Sequence, residues 1–88
     1  MEKQLIGEIS NYFKNISVAA FIITDGELQV GDHIQVKGST TDFSCKVESI
    51  QLEHKSIEIA KSGDDIGIKV DQKARRGDKV YLIQKDWF

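Results

Sequence analysis

Glycine followed by aspartate occurs three times in this chain, at Gly31-Asp32, Gly63-Asp64 and Gly77-Asp78, each time just ahead of alternating apolar residues. Glycine takes the positive φ that a tight turn needs, and aspartate bonds back to turn amides, so each pair reads as a turn that launches a strand. After the first pair, Ile34 and Val36 share one strand face while His33, Gln35 and Lys37 share the other, and the strand ends on Gly38. Repeated units of this kind point to a small sheet closed on itself.

The rest of the chain supplies the other strands. Residues 5–9 read as a first strand with Gly7 inside it, where a glycine marks a bulge or a close backbone approach. Residues 16–24 are rich in β-branched and apolar side chains on both faces, and alternation is expected to turn Val18, Ala20 and Ile22 to the core. Ala19, Phe21 and Ile23 are then left as a candidate docking surface. Phe43, Cys45 and Val47 share one parity and Ile50 and Leu52 the other, so a bend or bulge is expected near Glu48-Ser49. Residues 53–56 read as a turn, residues 57–59 as a short strand, Ile66, Ile68 and Val70 as an inward row, and residues 79–84 as the last strand. No segment has helical periodicity. The expected fold is all-β: a small closed barrel of six or seven mostly antiparallel strands, one domain over 1–88 with its core barrel at about 5–84.

Composition narrows the function. With 40% hydrophobic and 30% charged residues the chain is of ordinary globular type, and no apolar run approaches the ~20 residues a spanning helix needs. Residues 1–4 show no basic stretch feeding an apolar segment, so a cytoplasmic protein without membrane contact is expected. The single cysteine, Cys45, lies in phase with core positions and reads as a small buried hydrophobe rather than a nucleophile. His33 and His54 lack ligand-like spacing, so neither a metal nor another cofactor is expected. Lys69, Lys73, Arg75, Arg76 and Lys79 concentrate positive charge in the C-terminal part. If the last two strands form a hairpin, these cations gather on one face, with Tyr81 placed to stack on a base.

A resemblance adds to this. The succession Ile6-Gly7-Glu8-Ile9, Leu28-Gln29-Val30-Gly31-Asp32 through Lys37-Gly38, Val47-Glu48-Ser49-Ile50, residues 60–67, and Gly77-Asp78-Lys79-Val80 resembles the second domain of translational GTPases such as elongation factor Tu. It is also similar to free-standing elongation-factor-like proteins and to the tail barrel of a collagenase-like peptidase family linked to tRNA modification. Residues 37–40 lack the glycine spacing of a phosphate loop, so no GTP is expected to bind. The resemblance implies a non-enzymatic module of translation or tRNA modification, with tRNA, another structured RNA or a protein of that machinery as partner. The alternative is a protein-interaction adaptor that uses the barrel surface or an edge strand and no nucleic acid. Trp87 and Phe88 either fold back over a barrel opening or anchor a partner.

Overall fold

Alternating and β-branched segments become strands, and glycine and aspartate interrupt them. A computed structural model describes residues 2–84, and those residues form ten strands and no helix. They are β1 (Glu2–Phe13), β2 (Val18–Ile23), β3 (Glu27–Gln29), β4 (His33–Lys37), β5 (Asp42–Lys46), β6 (Ile50–Leu52), β7 (Lys55–Ile57), β8 (Ile59–Lys61), β9 (Asp65–Lys69) and β10 (Lys79–Gln84). Eight form one antiparallel sheet in the order β5-β4-β10-β1-β2-β9-β6-β7, and β3 pairs with β8 in a second. Trp87 and Phe88 lie outside the described residues.

The three Gly-Asp turns are built alike. In each, the aspartate N–H donates to the carbonyl three residues back: Asp32 to Gln29 at 3.1 Å, Asp64 to Lys61 at 2.9 Å and Asp78 to Arg75 at 3.1 Å. The glycines stand at φ 100°, 95° and 93°, the third-position conformation of a type II turn. The aspartate Oδ2 then accepts from the first residue's N–H: Gln29 at 2.9 Å, Lys61 at 2.9 Å and Arg75 at 2.8 Å. Each turn also clasps one distant residue. Gly31 N–H donates to Val47 O, Gly63 N–H to Ile23 O and Gly77 N–H to Ile9 O, at 2.8, 2.7 and 2.8 Å. In return Val47, Ile23 and Ile9 donate their N–H groups to Asp32 O, Asp64 O and Asp78 O, at 2.8, 3.0 and 2.7 Å. These three side chains are almost wholly buried, so the turns satisfy backbone groups where water cannot.

The first clasp explains why the expected closed barrel is not found. Past Lys46 the chain does not run on as a strand toward β7; Val47 bonds to the turn at residues 29–32 instead. The ladder therefore stays open, with β5 and β7 at its two edges. The strand count rises to ten because residues 27–29 form β3, the stretch from Phe43 to Leu52 divides into β5 and β6, and residues 57–59 are split between β7 and β8. At that break the Glu58 carbonyl leaves the ladder and accepts from Val30 N–H at 2.9 Å.

Two further expectations are corrected. The inward face of β2 is Ala19, Phe21 and Ile23, all fully buried, while Ile22 is 46% exposed. The reason lies in β1, whose pairing slips between Ile9 and Asn11 as well as between Leu5 and Gly7, so it bends around Phe21. A Cβ on Gly7 would stand 2.6 Å from the Phe21 ring, which is the close approach the glycine allows. Gln35, placed with His33 and Lys37 on the wet face, is only 9% exposed and donates through Nε2 to Asp42 Oδ1 at 2.7 Å.

Candidate functional site

A recess lies on the outward faces of β2, β9 and β6. Ala20, Gly67 and Gln51 stand opposite one another across these strands and form its floor. Gly67 keeps that floor low, since a Cβ there would meet Val18 Cγ1 at 3.0 Å. Phe13 and Ile16 rise from the β1–β2 connection on one side, 45% and 61% exposed. Glu53 and His54 rise on the other, from the two-residue turn that joins β6 to β7. Both stand at positive φ, 51° and 67°, the conformation a tight hairpin turn requires and non-glycine residues rarely adopt. Asp64 and Asp65 close one end. The groove holds about 670 Å³, and no lysine or arginine is among its described lining residues.

The cationic site expected from the sequence lies elsewhere and depends on a β9–β10 hairpin. That hairpin does not exist: β9 pairs with β2 and β6, and β10 with β1 and β4, so two strands separate them. Lys69 faces Val18, which faces Phe13, whereas Lys79 faces Glu8. The two cations therefore stand ~14 Å apart across the sheet and are further offset by ~15 Å along β1. Arg75, Arg76 and Lys79 do stay together around the third turn, and Lys73 is exposed on the approach to it. Two of them are already engaged, Arg76 donating through Nε to Ser10 O at 3.0 Å and Lys79 pairing with Glu8. Tyr81 lies on the outward face between Gln35 and Leu5, half-buried.

Cys45 borders a smaller recess of about 540 Å³ with Ser17, Lys69 and Asp71. Burial pushes its thiol up to about 11 from 9.0, and the carboxylates of Asp71 and Glu48 push the same way. A thiol held protonated is a poor nucleophile. Iodoacetamide should alkylate native Cys45 far more slowly at pH 8 than the urea-unfolded chain, a comparison mass spectrometry makes directly. Because the folded state holds this proton more tightly, stability that is full below pH 9 should fall as pH rises from about 9 to about 11. Cys45→Ala should remove that part of the alkaline decline. Among the described residues no cluster of three or more His, Cys, Asp or Glu side chains is arranged to hold a metal ion. Among the described residues no helix is long and apolar enough to cross a membrane.

No family model matches the chain. An uncharacterized protease of Methanocaldococcus jannaschii is 40% identical over 81 residues, which is 91% of this chain and 20% of that protein. A Porphyromonas gingivalis protein named collagenase is 40% identical over 85 residues, 96% of this chain and 24% of that protein. Among solved structures, the C-terminal domain of a Geobacillus thermoleovorans protein assigned to the U32 peptidases superposes with a TM-score of 0.84, covering 92% of this chain and 93% of that domain at 15% identity. Its selenomethionine variant gives 0.81 at 16% identity, covering 88% and 96%. The fold is that of a U32 peptidase C-terminal domain. This corrects the elongation-factor-like reading, and with it translation, tRNA modification and RNA binding. The physical reason is that the motifs behind the resemblance are the glycine and aspartate positions of type II turns, which any small sheet with these clasps needs. The chain spans about a fifth to a quarter of the length of the curated relatives it matches.

The groove escaped the sequence analysis because its floor is made of residues that attract no attention singly. One signal was present. Gly67 between the inward Ile66 and Ile68 leaves the outward face bare, and Phe13 and Ile16 bracket a polar turn where solvent-facing residues should be hydrophilic.

Proposed function

We propose that this chain is an accessory domain of the U32 peptidase type, contributing recognition to a peptidase rather than cleaving bonds itself. The observation that carries this reading is the superposition on an isolated C-terminal domain over 92% of one chain and 93% of the other. The 40% identity confined to 20% of a protease points the same way, because it leaves most of that protein for a catalytic unit. The chemistry of the domain agrees: the one thiol is held protonated, and the recess over β2, β9 and β6 is an open groove rather than a sheltered cleft.

Mixing experiments test the proposal. The purified chain alone should release no peptides from casein or gelatin. Added to a U32 peptidase from which the C-terminal domain has been deleted, it should restore part of the lost turnover. Turnover by the chain alone that rises in proportion to its concentration, and is abolished by one polar substitution, would overturn the accessory reading.

A further inference from the structure

We infer that the groove over β2, β9 and β6 is a docking site for an extended polypeptide segment bearing lysine or arginine beside apolar side chains; the inference rests on the accessory reading above. Three features of the groove specify that occupant. Its floor of Ala20, Gly67 and Gln51 is low at its centre, where Gly67 has no side chain, so a chain lying there approaches the sheet backbone closely. Along one wall Phe13 and Ile16 expose apolar surface, 45% and 61%, where a leucine or phenylalanine of the segment gains burial. The lining also carries three carboxylates, Glu53 beside His54 on the facing side and Asp64 and Asp65 at one end, with no lysine or arginine among the described lining residues to neutralise them.

Charge complementarity therefore selects a cationic segment and rejects an acidic one. Asp64 already accepts the Lys61 amide through Oδ2, which leaves Glu53 and Asp65 as the freer acceptors. The two stand on different elements, the β6–β7 turn and the start of β9, so a lysine or arginine between them is reached from two directions. The lining carries carboxylates and no lysine or arginine among its described residues, so a nucleic acid backbone would be repelled from it rather than held.

The probe is a fluorescein-labelled dodecapeptide of alternating leucine and lysine, broken by glycine so that it stays extended, with a control in which glutamate replaces every lysine. Anisotropy of the full 88-residue chain should show the lysine peptide binding about tenfold tighter than the glutamate peptide at low salt, with the preference shrinking as salt rises. Glu53→Gln combined with Asp65→Asn should abolish the preference, and Ile16→Ser should weaken both peptides a few-fold, an apolar contribution that salt does not remove. Thermal melts of each variant establish that it is folded. Equal binding of the two peptides, no binding at low salt, or unchanged binding by the double variant overturns the inference. So does a self-association of the chain that excludes the peptide, since the groove then belongs to a second copy. Loss of peptide binding with turnover still restored in the mixing experiment refutes the groove and spares the accessory reading. Peptide binding by a chain that itself hydrolyses casein does the reverse.

Discussion

Phe21→Ala should lower the stability of this domain by about 3–5 kcal/mol, while Ile22→Ala, one residue along the same strand, should change it by about 0.5 kcal/mol or less. Phe21 is fully buried and its ring lies against Gly7. On that side the neighbour is glycine backbone, which cannot close over the cavity left. For a chain of this size total stability is on the order of 4–13 kcal/mol, so the Phe21 variant stands near the point of unfolding at room temperature. Urea titrations read both changes as shifts of midpoint at constant slope. A larger effect at Ile22 than at Phe21 would return β2 to the orientation its sequence suggested.

Gly38→Ala should destabilise the fold by about 3 kcal/mol or more, although Gly38 is neither at positive φ nor in the core. The added Cβ would fall 1.9 Å from Asp78 Oδ1 and 2.7 Å from Asp78 Cγ. Asp78 has little freedom to retreat, because it is 5% exposed and its Oδ2 holds the Arg75 amide at 2.8 Å. Moving it strips the third turn of that bond. Gly77→Ala is the instructive contrast: nothing stands within 4 Å of its added Cβ, so only the backbone strain of φ 93° remains, roughly 1–2 kcal/mol. Removing the carboxylate relieves the clash, so Gly38→Ala and Asp78→Ala together should cost less than the sum of the two alone. Strict additivity in calorimetric melts of the cycle would show that the two residues do not touch.

The three turns were legible because their chemistry is local: a glycine for φ, an aspartate for the amide, and both are adjacent letters. The faces of β4 were legible for a similar reason at Ile34 and Val36, where polar neighbours make the alternation one-sided. In β2 apolar residues occupy both parities, and which set faces inward is decided by Gly7 and the two slips of β1 rather than by β2 itself. The pairing of β9 and β10 with other strands was equally hidden. Sequence proximity favours a hairpin, whereas β1 and β2 come between them from the other end of the chain. The cationic cluster shared that fate. Its members were gathered by an assumed hairpin, and the groove that the sheet does form is assembled from residues 13–20, 51–54 and 63–67, which only the register brings side by side.

The pairing of β1 with β10 has a consequence for how the protein comes off the ribosome. Glu8 and Lys79 meet across the middle of the sheet although 71 residues separate them. At ~5–20 residues per second, a nascent β1 waits roughly 4–14 s for the strand that completes its second edge. During that interval one side of a long strand is unsatisfied, with only the hairpin partner β2 in place, and it is open to pairing with another chain. The Ile9 clasp forms last of the three, since its turn is synthesised last. Completion of the centre of the sheet therefore waits for β10, the strand that locks β1 between two partners.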